Sequence, residues 1–143
     1  MKTAVIIVAA GKGVRFGSEV PKQFLLLKGM FVLSYSLKMF MTHQAIHSIQ
    51  PVINDKHTKF YGDTLGSIKN FGKSKKILSP TFGGDERSLS VKSGLFALAK
   101  LKEPPDQVLI HDAARPLVSK KVIDRVLKNL SNYDAVFPVL PMV

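Results

Sequence analysis

Short apolar segments alternate along the chain with segments in which apolar residues recur every three or four positions. Short runs rich in Val, Ile and Leu are typical of strands buried on both faces of a sheet, whereas spacing near 3.6 residues predicts amphipathic helices. The strands predicted in this way are 3–10, 46–53, 76–78, 107–111 and 135–140. The predicted helices are 32–42, 55–68, 87–101 and 119–130, the last with Ser119 as its N-cap.

This alternation predicts an α/β fold with a mostly parallel sheet and right-handed crossovers. The length of 143 residues suits one domain with a substantial core. Ligands of such sheets bind beyond the carboxyl ends of the strands. We therefore expect the loops 11–22, 83–90 and 111–116 to meet in one crevice.

The first of these loops combines a glycine turn with two spaced cations. Gly11 and Gly13 follow the first strand, and Arg15 and Lys22 come after them. Glycines let backbone N–H groups approach a ligand closely, and cations beside them favour a polyphosphate. The segment does not match the P-loop, and Phe16 stands where the dinucleotide fingerprint has its third glycine. The alternative is a turn whose glycines serve only the backbone, although such a turn needs neither cation.

The second loop opens a predicted helix with small and hydroxyl-bearing residues. Gly83 and Gly84 would let a ligand approach, and the helix N-terminus after them carries unpaired N–H groups and partial positive charge. Ser90 places a hydroxyl near the first turn. Ordinary capping by Asp85, with Arg87 in solvent, explains the same residues equally well.

The third loop begins directly after a predicted strand. The carboxylate of Asp112 could bind Mg²⁺ or a hydroxyl there, and Ala113 is small enough for a ribose or base to approach. Arg115 could meet a phosphate or pair with an acid. His111 has the chemistry of a general base, but a histidine that closes a buried strand is more often structural.

Composition narrows the classes of partner. The formal net charge of +11 suits a polyanion such as a nucleotide, a nucleic acid or a membrane surface. The densest basic segment, 69–76, has one aromatic residue and is interpreted as a solvated loop, so a nucleic-acid partner is not expected.

The chain has no Cys, which excludes disulfides and thiolate metal sites and is compatible with the cytoplasm. No apolar run is long enough to span a membrane, and no membrane partner is expected.

In chain order, the three loops carry the motifs A-A-G-x-G-x-R…P-K-Q, G-G-x-x-R-x-x-S and H-D-A-A-R-P. This ordered set resembles the 2-C-methyl-D-erythritol 4-phosphate cytidylyltransferase family over the whole chain. The resemblance implies a Rossmann-like three-layer α/β/α nucleotidyltransferase domain, with residues 1–143 as its nucleotide-binding portion. It also implies transfer of CMP from CTP to 2-C-methyl-D-erythritol 4-phosphate with release of pyrophosphate, Mg²⁺ as cofactor, and a place in cytoplasmic non-mevalonate isoprenoid biosynthesis.

The resemblance also implies roles for single residues. Arg15 and Lys22 match the catalytic pair that stabilises the charged transition state, and Asp112 matches a residue beside the ribose, the metal and the acceptor. The residues that match the family's CTP-binding positions are Ala9, Ala10, Gly11, Gly13, Arg15, Lys22, Gly84, Asp85, Arg87, Ser90, Asp112 and Ala113.

Further expectations concern the end of the chain. In the family, a strand like 135–140 is followed by an Asp-Thr pair and by residues that hold the acceptor, whereas this sequence ends at Val143. The resemblance therefore implies a C-terminally truncated domain with little or no activity alone. For the full-length protein it implies a homodimer, and in some bacteria a fusion to the cyclodiphosphate synthase of the pathway.

Two other functions stay open on the sequence alone. A related nucleotidyltransferase acting on a sugar phosphate or on ribitol phosphate would use the same loops. A non-catalytic basic remnant that binds nucleotides or nucleic acid would use the charge of +11. Saturable, Mg²⁺-dependent binding of CTP favours an enzyme, whereas steeply salt-dependent binding to DNA or RNA favours the remnant.

Overall fold

The computed structural model describes residues 1–13 and 19–142. Within these ranges the strands are β1 (Thr3–Ala9), β2 (Leu26–Leu27), β3 (Met30–Phe31), β4 (Ser48–Ile53), β5 (Thr81–Phe82) and β6 (Gln107–Asp112). The main sheet is parallel and has the order β5-β4-β1-β6, while β2 and β3 form a separate antiparallel hairpin. The predicted parallel sheet is confirmed.

The helices found in the same ranges are α1 (Val32–Thr42), α2 (Thr58–Ser67), α3 (Arg87–Ala99) and α4 (Lys120–Leu130). The first has the predicted bounds, and the predicted helix 55–68 is divided into a 3₁₀ turn, Asp55–His57, followed by α2. Ser119 caps α4 as expected, because its hydroxyl accepts a hydrogen bond from the Val122 amide at 3.3 Å. Across the described residues, no helix has both the length and the apolar character that a membrane span requires.

The centre of the sheet is β1, which is buried on both faces. Val5 and Ile7 pack into a core that includes residues from α1, α2 and α4, whereas Ala4 and Ile6 pack on the opposite face with Leu98 of α3. Helices therefore cover both faces of the sheet, which gives the predicted three layers. Because β1 packs against apolar residues on both faces, nearly every position in it is apolar, and this is the run that predicted a fully buried strand.

One predicted edge strand is displaced along the chain. Residues 76–78 contribute only a single bridge, between Ile77 and Ile49, and the strand at this edge is Thr81–Phe82. Pro80 lies between them and has no backbone N–H to donate to a ladder. The pairing with β4 is interrupted there for that reason.

The prediction of a strand over 135–140 is wrong. These residues are irregular, and Phe137, Val139 and Leu140 are each at least 74% exposed. A strand is stabilised by pairing with a neighbour, and none of the strand pairings found among the described residues involves this segment. Pro138 also lacks the N–H that a ladder would use.

The packing of α3 on the sheet depends on a glycine and generates a stability prediction. A Cβ atom at Gly94 would lie 2.8 Å from Cγ2 of Ile6, whereas a Cβ atom at Gly62, in α2, would meet nothing within 4 Å. We expect Gly94→Ala to lower the free energy of unfolding by about 1–3 kcal/mol through overpacking. The control, Gly62→Ala, should raise it by about 0.5–1 kcal/mol because Ala favours helix. Urea denaturation measures both, and stabilisation by Gly94→Ala would contradict the packing described here.

Candidate functional site

The carboxyl ends of β1, β4 and β6 lie side by side. Ala9 is in register with Ile53, and Val8 is in register with Asp112. The amide of Ala113 donates to the carbonyl of Val8 at 2.9 Å, and Ala113 is buried. The sheet therefore brings the first and third predicted loops to one edge.

The glycine turn lies directly against the segment that carries Lys22. Gly13 has φ +67°, and a Cβ atom there would lie 2.7 Å from Cα of Pro21 and 2.9 Å from the amide nitrogen of Lys22. Only glycine fits both the left-handed backbone and this approach. Gly11 is exposed, and a side chain at that position would meet nothing within 4 Å. Arg15, the other predicted catalytic cation, lies outside the described residues.

The second loop is held against the end of β4 and against Ala10, the residue that follows β1. The amide of Gly83 donates to the carbonyl of Ile53 at 2.8 Å, and a Cβ atom at Gly83 would collide with Cβ of Ala10 and Oγ of Ser90. Lys12, in the glycine turn, forms an ion pair with Asp85 across 3.2 Å. Two of the three predicted loops are thus joined by both packing and charge.

The start of α3 differs from the ordinary capping considered above. Glu86, and not Asp85, is the N-cap residue, and its side chain makes no capping hydrogen bond. The buried hydroxyl of Ser90 lies within weak hydrogen-bond distance of the carbonyls of Gly84 and Glu86, at 3.5 and 3.4 Å. Ser90 therefore shapes this loop from inside.

Asp112 connects the second loop to the third. One of its carboxylate oxygens accepts from Nε of Arg87 at 2.9 Å, and the other accepts from Nε of Arg115 at 3.3 Å. Both guanidiniums are more than half exposed, so each pair contributes only about 0–1 kcal/mol to stability. A charged ligand in the crevice could exchange with either arginine at small cost.

His111 lies on the other side of β6 and faces α1. Its Nε2 is 2.9 Å from the hydroxyl of Ser36, and its ring packs edge-on against Phe40. Burial, more than any neighbouring charge, lowers the pKa of His111. The structural role suggested by its position at a strand end is consistent with these contacts.

The carboxylates of the crevice do not form a metal cage. Among the described residues there is no group of three or more His, Cys, Asp or Glu side chains that could hold a metal ion. Mg²⁺ commonly binds proteins through one or two carboxylates and completes its shell with substrate phosphates and water. The carboxylate of Asp112 fits such a shared site, provided that Arg87 or Arg115 releases the carboxylate oxygen to which it donates.

No separate role for Gln23 was predicted from the sequence. Its buried side-chain amide donates to the carbonyls of Ala9 and Gly11, at 2.8 and 3.0 Å. The only signal in the sequence was its place in the P-K-Q motif. Spacing along the chain does not indicate which carbonyls a glutamine reaches across a loop.

Comparison with known proteins places the chain in one family. The family model described as 2-C-methyl-D-erythritol 4-phosphate cytidylyltransferase matches residues 3–143. A bifunctional enzyme IspD/IspF of Wolbachia pipientis wMel is 42% identical over 141 residues, which are 97% of this chain and 34% of that protein. A bifunctional enzyme IspD/IspF of Bradyrhizobium diazoefficiens is 40% identical, over 99% of this chain and 33% of that protein.

A solved structure agrees with these relatives. The Francisella tularensis 2-C-methyl-D-erythritol 4-phosphate cytidylyltransferase has a TM-score of 0.69 and 29% identity, over 93% of this chain and 54% of that chain. The chain thus spans about a third of the length of the two bifunctional relatives and about half of this structure. Sequence, fold and the order of the three loops agree, and the chain belongs to the 2-C-methyl-D-erythritol 4-phosphate cytidylyltransferase family.

Proposed function

We propose that this chain is the nucleotide-binding part of an enzyme that transfers CMP from CTP to 2-C-methyl-D-erythritol 4-phosphate and releases pyrophosphate. One observation carries the proposal: contacts between the loops hold all three motifs at a single edge of the sheet. Gly13 packs on Pro21, Lys12 pairs with Asp85, and Arg87 pairs with Asp112. Family membership supports the choice of reaction.

In the proposed reaction, an oxygen of the acceptor phosphate attacks the α-phosphorus of CTP in line. The bond from that phosphorus to the bridging oxygen breaks, and pyrophosphate leaves with the electron pair. Negative charge increases at the reacting phosphate, so cations and N–H groups aimed there lower the barrier. Lys22, held beside the glycine turn, is proposed for this role together with Arg15, which matches the same motif.

The nucleoside end of CTP is proposed to bind between the second and third loops. Gly84, which packs against Leu89, and the buried Ala113 would shape the walls of this site. Asp85 and Arg87 would orient the cytosine by charge, and the buried Ser90 would do so through the shape of the loop. A Cβ atom at Gly84 would lie 2.7 Å from Cβ of Leu89, so a larger residue would distort the loop here.

Mg²⁺ is proposed as the cofactor, held by Asp112 jointly with the phosphates of CTP. When bound, the ion would neutralise charge on the phosphates. Arg87 or Arg115 would then be free to pair with a phosphate oxygen. We also propose a cytoplasmic enzyme, compatible with a chain without Cys, and a homodimer as the assembly of the longer enzyme.

The proposed function is tested by pyrophosphate release from CTP and Mg²⁺, with this domain in a chain extended to the length of its relatives. Each acceptor is tested in turn: 2-C-methyl-D-erythritol 4-phosphate, ribitol phosphate and a sugar 1-phosphate. We expect release with the first acceptor alone, and with CTP in preference to ATP. Equal or faster release with ribitol phosphate would assign the domain to the related nucleotidyltransferases instead.

The close approach at Gly13 generates a prediction for CTP affinity. Gly13→Ala should weaken CTP binding about tenfold or more, because the methyl group would push the Lys22 segment away from the turn. Gly29→Ala is the matched control: Gly29 also has positive φ, +78°, but has open space around it. Isothermal titration of CTP into both variants decides, and equal loss in the two would attribute the effect to backbone strain alone.

A second prediction concerns Lys22 in the extended enzyme. Lys22→Met should lower kcat by about 100-fold or more, the scale for one lost transition-state donor, while the Kd for CTP changes less. Lys38→Met, on the exposed side of α1, is the control and should leave kcat unchanged. Steady-state kinetics would contradict the proposed role if Lys22→Met raised KM and left kcat near normal.

A further inference from the structure

The buried amide of Gln23 ties together two peptide groups of the glycine turn. Gln23 is 5% exposed, and its Nε2 donates to the carbonyl of Ala9 at 2.8 Å and to that of Gly11 at 3.0 Å. A primary amide has two N–H donors, so these two bonds use both of them. The orientation of both peptide planes is therefore fixed by one side chain.

This orientation decides which groups the turn presents to a ligand. The described residues contain no cis peptide bond, and in a trans peptide the C=O and the following N–H point in opposite directions. With the carbonyls of Ala9 and Gly11 directed at Gln23, the N–H groups of Ala10 and Lys12 point away from it. Carbonyl oxygens repel a polyphosphate and N–H groups attract it, so Gln23 holds the turn in the state that suits an anion.

Gln23 also connects the turn to the core. It lies in the 3₁₀ turn Lys22–Phe24, in which the amide of Phe24 donates to the carbonyl of Pro21 at 2.9 Å. Phe24 is buried and stacks on Phe60 with ring centroids 5.4 Å apart. Lys22 is thus attached to a segment that is anchored on one side in the core and on the other side in the glycine turn.

We infer that Gln23 is a positioning residue for polyphosphate binding, which it supports by aiming the N–H groups of Ala10 and Lys12 and by fixing the Lys22 segment beside them. This rests on the proposed function in so far as the polyphosphate is that of CTP. Gln23 itself has no donor left for the ligand, so its effect on binding passes entirely through the backbone that it holds.

The chain offers a matched control for this inference. Gln50 is 3% exposed, and its Nε2 also donates to two backbone carbonyls, those of Pro51 and Ser79, each at 3.0 Å. It lies three residues before the end of β4, roughly 10 Å from the crevice edge at 3.3 Å per residue. Gln23→Met and Gln50→Met remove the same buried donors and should cause comparable losses of stability.

The experiment measures the binding of inorganic tripolyphosphate, CTP and cytidine to both variants, in buffer with Mg²⁺. Gln23→Met should weaken tripolyphosphate and CTP about tenfold, because two fixed carbonyls lose their donors and the turn relaxes. Cytidine binding, followed by NMR chemical shifts, should change less than twofold. Gln50→Met should leave all three affinities within twofold of the wild type.

The outcomes separate this inference from the proposed function. If the wild type binds CTP and Gln23→Met binds it and tripolyphosphate equally well, the inference is overturned and the function stands. If the wild type binds tripolyphosphate without any preference for CTP, the proposed function fails. The inference about Gln23 is then still tested by comparing the tripolyphosphate affinities of the wild type and Gln23→Met. Binding of neither probe by the wild type would overturn both.

Should Gln23→Met fail to fold, Gln23→Glu provides the second variant. It keeps the shape of the side chain, but a carboxyl group donates one hydrogen bond when protonated and none when ionised, so at least one of the two carbonyls loses its donor. The same loss of tripolyphosphate affinity is expected. Wild-type affinity in Gln23→Glu would show that donation to the two carbonyls is not what matters, and would overturn the inference.

Discussion

At Gly13 two backbone segments approach as closely as their atoms allow, and the rest of the site depends on that contact. The left-handed turn lets the end of β1 lie against Pro21 and Lys22, and Gln23 joins the same two segments by hydrogen bonds. Without this approach, Lys22 and the N–H groups of the turn would not lie close enough to contact the same ligand. The site is thus set by backbone geometry, with side-chain charges arranged around it.

The charged contacts across the crevice are of a different kind. The pairs formed by Lys12 with Asp85 and by Asp112 with Arg87 and Arg115 are exposed, and exposed pairs stabilise a fold only weakly. They hold the loops near one another, and under the proposed function they would exchange partners with the phosphates of CTP and with Mg²⁺. A glycine turn held by Gln23, beside loops joined by exposed ion pairs, suits the proposed binding of CTP and release of pyrophosphate.

The elements that could be predicted from sequence are those determined by burial. The strand at 3–10 and the helix at 32–42 have apolar patterns that match their contacts on the sheet. The segment 135–140 has an equally apolar pattern and is irregular: it takes part in none of the strand pairings found among the described residues, and Pro138 lacks an N–H to donate. Pro80 displaced the edge strand for the same reason, since it removes a donor from the ladder.

The position of the site could be predicted from the three motifs and from the strands that each motif follows. The three loops meet as expected, since parallel strands end at a common edge. Contacts made across loops could not be predicted, because nothing in the spacing of Gln23, or of Asp112 with its two arginines, specifies a partner. Ser36, which meets His111 from α1, is a further case of a partner distant in sequence.

The central proposal is that one crevice, formed by these three loops, binds CTP. The most direct test is to titrate CTP with Mg²⁺ into the ¹⁵N-labelled chain and map the amide shifts. We expect the largest changes at residues 9–13, 22–23, 83–90 and 112–113, and little change elsewhere. Changes centred on the basic segment 69–76, or spread evenly over the surface, would contradict the account.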